Sequence, residues 1–150
     1  MTWKNDGHGL LFRSEEIKLY KPSHTWAMKL SQLDRQNGIV RIMTYSLPSL
    51  NYVREQLGRR PLDIYITCHS KFVEQAQAIK QEFPEIAIAV SDTMHSKVLL
   101  IEPATLYVGS ANFGASGSHE TMIGVRSKEA HDDFVRRVFI PAWQVSQEIM

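Results

Sequence analysis

Ile39-Val40-Arg41-Ile42-Met43-Thr44-Tyr45 is a β-rich run that reads as a buried strand, and the elements on its C-terminal side decide the fold. Pro48 to Leu57 has helical spacing, with Pro in the first turn and Gly58 just past the end. Leu62 to Thr67 is another strand. Ser70 to Phe83 is an amphipathic helix stopped by Pro84, and Ile86 to Val90 is a further strand. This β-α-β-α-β rhythm predicts an α/β fold, a layered α/β/α sandwich around a mixed, largely parallel sheet.

Working outward, Ile17 to Tyr20 alternates as a short strand ending at Pro22. Ser23 or Thr25 can cap a helix through Gln36, with Trp26, Leu30 and Leu33 on one face and Asn37-Gly38 as its stop. Toward the C-terminus, Lys97 to Ile101 and Thr105 to Val108 are apolar runs separated by Glu102-Pro103-Ala104, a spacing that suits an antiparallel pair. Ala111 to His119, rich in Gly, Ser and Ala, reads as a loop, and Thr121 to Val125 as a strand. Ser127 can cap a final helix that Pro141 bends or breaks. With no linker and no repeat, residues 1–150 are expected to form a single domain.

Bulk properties exclude several classes. The net charge of +1 provides no overall electrostatic drive toward nucleic acid or membrane, so a nucleic-acid partner needs a local basic patch. A single cysteine, Cys68, rules out an internal disulfide and a multi-cysteine metal site. No apolar run approaches the roughly 20 residues that span a bilayer, and Met1 to His8 is polar, so a cytoplasmic protein without a membrane partner is expected.

The chemistry concentrates in His95-Ser96-Lys97 and in Gly109-Ser110-Ala111-Asn112. On a strand, His95 and Lys97 project from the same face. An imidazole beside an ammonium is poor core design, since an unpaired buried cation is costly. It suits a phosphate, however. Lysine supplies compact positive charge, and histidine serves as nucleophile or proton carrier near neutral pH. Ser110 and Asn112 can donate hydrogen bonds at the same end of the sheet, and Gly109 lets backbone approach an anion. Lys97, Gly109, Ser110 and Asn112 are thus the expected phosphate-binding set.

These residues resemble the signature of the phospholipase D superfamily: His-x-Lys, four residues, Asp, six residues, Gly-Ser-x-Asn. His95, Lys97, Gly109, Ser110 and Asn112 match in identity and spacing, while Glu102 stands where the family usually has Asp. Ser118-His119-Glu120, followed by Thr121-Met122-Ile123, resembles the family's Ser-x-Glu segment. The resemblance implies catalysis by His95, Lys97, Ser110, Asn112 and Glu120, with no metal and no cofactor. In the family one His attacks phosphorus to form a phosphohistidine and a second His protonates the leaving oxygen. The acidic residue at the Glu102 position mainly supports the fold there. The Glu at the 120 position sits beside the catalytic His, so Glu120 is expected to accept a hydrogen bond from the His95 ring, within one subunit or across a dimer. This chain has one copy of the motif, so a homodimer with a composite site is expected.

Short single-motif members of the superfamily are commonly endonucleases, which makes a metal-independent nuclease acting on DNA or RNA the leading expectation. The alternatives are a lipid phosphodiesterase or transphosphatidylase, and a catalytically silent nucleic-acid-binding module. Other residues are ambiguous in sequence. Tyr45-Ser46 either lines the cleft or packs. Arg54, Arg59, Arg60 and Lys71 are either a solubilising face or a phosphate track. His8, His24, His69, His119 and His131 show no metal-ligand spacing, and Cys68 reads as a buried small hydrophobe.

Overall fold

A computed structural model describes residues 17–20, 38–58, 63–116 and 118–150. The strands are β1 (Ile17–Tyr20), β2 (Val40–Met43), β3 (Ile64–His69), β4 (Ala87–Ser91), β5 (Val98–Ile101), β6 (Thr105–Gly109), β7 (Met122–Arg126) and β8 (Gln147–Glu148). The helices are α1 (Leu50–Leu57), α2 (Val73–Glu82), α3 (Lys128–Phe134) and α4 (Ile140–Gln144). The expected helix through Gln36 lies outside the described residues.

Val98-Leu99-Leu100-Ile101 is buried along its whole length because both sheet faces are covered. Leu99 and Ile101 face a core shared with Val53 and Leu57 of α1 and Ala76 and Ile79 of α2. Val98 and Leu100 face the opposite core, closed by Ala130 and Phe139, with Phe134, Val138 and Trp143 packed against it. The same alternation runs along β2, where Val40 and Ile42 join the first core and Met43 the second. The layered α/β/α arrangement is therefore as expected.

The sheet order is β1-β7-β6-β5-β2-β3-β4-β8. The sheet is mixed, and its parallel share is smaller than "largely parallel" implies. Parallel pairing is confined to β2-β3 and β3-β4. The remaining five pairs are antiparallel. The reason is the chain after β4. It enters the β5-β6 hairpin, whose three-residue connection permits only antiparallel pairing, and the loop after β6 returns the chain antiparallel as β7. Strand β8, for which no local pattern argues, adds antiparallel to β4, with the Ile149 N–H donating to Ile88 O.

Local signals mark the element ends. The Ser49 hydroxyl accepts the Tyr52 N–H at the start of α1, so Pro48 precedes the cap rather than occupying the first turn. Ser127 caps α3 through the Ala130 N–H, as expected. Between α3 and α4 one π-helical turn, Val135–Phe139, places the Ile140 N–H on Val135 O. Pro141 offers no N–H, and the widened turn lets the helix continue past it instead of breaking.

The pairing directions bring one set of strand ends together. β2, β3, β4 and β6 finish, and β5 and β7 begin, at the same end of the sheet. Because β5 lies beside β2, the segment from Asp92 to Lys97 must pass the ends of β3 and β2 to reach it. This crossing carries His95.

Candidate active site

His95 and Lys97 sit on the crossing, immediately before β5. Their side chains do project together: Lys97 Nζ lies 3.0 Å from His95 Nδ1 and donates to His95 O at 2.7 Å. With the ammonium donating to Nδ1, the neutral ring carries its proton on Nε2. Partial burial holds the Lys97 ammonium below the ordinary lysine range, and the Glu120 carboxylate acts in the opposite direction. Lys97 makes no ion pair among the described residues.

Asn112 follows β6 and is held by residues at the end of β2. Its Oδ1 accepts the Tyr45 N–H at 3.1 Å, with the Thr44 hydroxyl 3.4 Å away. That contact assigns the amide orientation and leaves the Asn112 NH₂ group as an uncommitted donor pair. Thr44 is a site residue that the motif does not include. It is fully buried, its hydroxyl donates to Ser46 O at 2.8 Å, and it accepts the Phe113 N–H at 2.9 Å. It ties the end of β2 to the turn after β6. The signal available in sequence was a hydroxyl residue within a β-rich run.

Gly109 and Ser110 are placed at the site but used differently from expectation. A Cβ at Gly109 would stand 2.2 Å from Thr121 O and 2.6 Å from Met122 Cα. Gly109 therefore permits the close approach of β6 to β7 rather than of an anion to the backbone. The Ser110 hydroxyl donates to Glu120 and accepts the Thr121 N–H at 3.0 Å. Its single proton is thus committed to a carboxylate, and Ser110 acts here as a brace.

Glu120 lies just before β7, as expected. Its oxygens accept from Ser110 and, at 3.4 Å, from Ser116. The expected His95–Glu120 hydrogen bond is not formed within the chain: His95 Nδ1 meets Lys97, and the carboxylate accepts from the two serines. Glu102 is remote from these groups. It follows β5 at the opposite end of the sheet, accepts the Ile39 N–H at 3.3 Å and pairs with Arg41 at 3.2 Å.

The ring of Tyr45 stands 5.3 Å from that of His95, and the His69 ring is 4.9 Å beyond it. Tyr45 therefore lines the site, resolving one ambiguity of the sequence. A cleft of about 330 Å³ opens beside Asn112, bounded by Ser46, Pro48, Tyr52 and Glu120. Tyr52 Oη is buried there without a hydrogen-bond partner among the described residues, and burial, with Glu55 nearby, pushes its hydroxyl up to about 12. Arg54 is paired with Glu82 and is not a free cation, while Arg59 and Arg60 lie outside the described residues. Cys68 is fully buried, and burial pushes its thiol up to about 12. His131 is buried on α3 against Asp132, away from these groups. Among the described residues, no three His, Cys, Asp or Glu side chains gather as a metal-binding group, and no helix is long and apolar enough to cross a membrane.

Comparison with known proteins agrees with this fold. Nuc from Salmonella typhimurium, a phospholipase D family member, superposes with a TM-score of 0.71 at 17% identity, over 89% of this chain and 99% of Nuc. NucT from Helicobacter pylori gives 0.62 at 13% identity, over 89% and 99%. A phosphatidylserine synthase of Haemophilus influenzae gives 0.66 at 8% identity, over 89% of this chain but 40% of the synthase. At these identities the likeness is one of fold. Comparison with curated proteins returns no match. Residues 17–139 match the family described as "Cardiolipin synthase, PLD-like domain", and the chain therefore belongs to the phospholipase D superfamily as a PLD-like domain.

Proposed function

We propose that this chain is a single catalytic domain, residues 1–150, that cleaves phosphodiester bonds of nucleic acid without a metal. The observation that carries this reading is the juxtaposition of the His95 ring and an ammonium without an ion-pair partner among the described residues, Lys97, 3.0 Å apart at the end of the sheet that also holds the oriented Asn112 amide. An arriving phosphate draws the Lys97 ammonium onto its non-bridging oxygens. The Asn112 NH₂ group donates beside it, where charge builds in the pentacoordinate transition state. The unprotonated His95 nitrogen attacks phosphorus, so that an N–P bond forms as the bond to the leaving oxygen breaks. The leaving oxygen takes its proton from His95 of a second copy. Water then attacks phosphorus, gives a proton to that second ring, and the N–P bond breaks.

Lys97, Gly109, Ser110 and Asn112 form the phosphate site in this reading, with Ser110 and Gly109 acting through the geometry of the turn. Glu120 holds Ser110 and sustains the charge on Lys97. In the homodimer, Glu120 is available to the ring nitrogen of the facing His95. The preference for nucleic acid rests on the resemblance and on how much of each neighbour the chain covers. Short members of the superfamily are commonly endonucleases, and this chain aligns with 99% of Nuc and NucT but with 40% of the lipid-enzyme chain.

The description of the matched family as cardiolipin synthase favours a second reading, a lipid phosphodiesterase or transphosphatidylase. One assay separates them. Purified protein in EDTA is incubated with plasmid, single-stranded DNA, RNA and phosphatidylcholine. Cleavage of nucleic acid that survives chelation is expected. Loss of activity in EDTA with rescue by magnesium contradicts the mechanism, and cleavage confined to the lipid selects the second reading. Sedimentation should show a dimer, with an interface of roughly 1,200–2,000 Å². A fully active monomer rejects the composite site.

A further inference from the structure

We propose that Tyr45 and His69 form a stacking platform for the nucleobase next to the scissile phosphate, so that the preferred substrate is an unpaired strand. The inference rests on the nucleic-acid reading above and adds a recognition element to it.

Tyr45 belongs to neither hydrophobic core, and nor does His69. Both side chains are half-buried. Their rings nevertheless form a continuous row that ends at the nucleophile: His69 to Tyr45 at 4.9 Å and Tyr45 to His95 at 5.3 Å, each tilted by 52°. Phe72, anchored against the core behind, meets Tyr45 edge-on at 5.5 Å. The backbone of Tyr45 is pinned from both sides, since its N–H donates to Asn112 and its carbonyl accepts the His69 N–H at 3.1 Å. The row is therefore rigid, partly open and tied to the residue that orients the phosphate site. Such rings are not needed to close a core, and they lie where α/β folds gather ligands, at the carboxyl ends of β2 and β3.

The polar atoms fit the same ligand. His69 Nδ1 accepts the Lys71 N–H at 3.1 Å, so the neutral ring carries its proton on Nε2, which has no partner among the described residues. Lys71, exposed and two residues further on, also has no ion pair among the described residues. The carboxylate of Asp92, beside this loop, accepts from Ser70. A planar heteroaromatic ring with acceptors on its edge, attached to a phosphodiester chain, meets a stacking face, an N–H donor and a cation in turn. In a duplex the base faces are already stacked on their neighbours and cannot reach the platform.

The test measures equilibrium binding in the His95→Asn background, in which turnover is stopped. Fluorescence anisotropy compares a labelled single-stranded oligonucleotide, the same strand with abasic sites, its duplex, and phosphatidylglycerol vesicles. The intact strand should bind about tenfold or more tightly than the abasic strand and the duplex. Tyr45→Ala should abolish the difference between intact and abasic strands, and Tyr45→Phe should keep it. His69→Ala should reduce it, which keeps the proposal open to refutation if Tyr45→Ala fails to fold. Equal binding of intact and abasic strands, or tighter binding to duplex or vesicles, overturns the platform. These arms are independent of cleavage. If the wild type hydrolyses no phosphodiester yet shows the base-dependent binding, the catalytic reading fails and the platform stands. If it cleaves but binds without regard to bases, the platform fails alone.

Discussion

The two ends of the β5-β6 hairpin carry opposite arrangements of charge. At the turn, Glu102 meets Arg41 and the Ile39 N–H, and each charge there has its partner. At the other end Lys97 is partly buried, makes no ion pair among the described residues, and faces a histidine that can itself become positive. The nearby carboxylate, Glu120, is engaged by two serines instead. Where the hairpin is built, charge is neutralised. Where the site lies, positive charge is kept available, at the cost of partial desolvation. This difference is what an anion-binding end should show, because a lysine already paired gains little by meeting a phosphate.

The largest effect should come from the open end. His95→Ala should lower turnover by several orders of magnitude, as removal of a nucleophile that acts within a unit does. Lys97→Ala should lower kcat by about 10²–10³, the cost of losing one transition-state donor. Both variants should unfold at or near the wild-type temperature in a thermal melt, since neither side chain is paired with a carboxylate. A large fall in Tm with modest kinetic change would place these residues in the scaffold and erase the contrast.

The closed end should respond in the reverse sense. Glu102→Ala strands the Arg41 guanidinium and the Ile39 N–H, and should cost about 1–3 kcal/mol of stability, read by chemical denaturation, with kcat unchanged. A rate loss comparable to that of Lys97→Ala would show that the two ends are coupled. Thr44→Val lies between the two behaviours. It keeps shape but leaves the Phe113 N–H without the Thr44 hydroxyl and loosens the hold on Asn112. A loss of about 1–3 kcal/mol is expected, together with a lower kcat. An unchanged rate would remove Thr44 from the positioning of Asn112.

The smallest effect is a displacement in pH. Lys97 works as its protonated form, and its proton leaves at lower pH than that of an ordinary lysine because burial disfavours the charge. The alkaline limb of kcat/KM should therefore fall below the usual lysine range. Glu120→Gln removes the carboxylate that opposes this shift, so the limb should move further toward acid. A limb that stays in place, or moves toward base, contradicts the assigned interaction.

Much of this molecule was legible because short-range rules govern it. Apolar periodicity marked β2 through β4 and the helices between them, and Ser127 announced α3. The fixed spacing from His95 to Asn112 marked the candidate site. The π-helical turn before Pro141 and strand β8 were not legible. Both depend on what packs or pairs from elsewhere in the chain. The bracing of Ser110 was not legible either, because a hydroxyl reads as a free donor until its partner, Glu120, is known. Nor does sequence reveal that β7 backbone lies where a Cβ at Gly109 would be.

The sequence by itself determined that an α/β/α sandwich forms and that a histidine and a lysine stand two residues apart at the mouth of a strand, since apolar periodicity and residue spacing depend only on neighbouring residues. Only the tertiary structure decided that β5 returns beside β2 rather than β4, because that pairing joins residues some sixty positions apart and is set by long-range contacts. That single choice draws the segment from Asp92 to Lys97 across the ends of β3 and β2. It sets His95 against Tyr45, fastens Asn112 to the Tyr45 backbone and lines up His69 behind them. These contacts join residues far apart in the chain, and no local pattern encodes them.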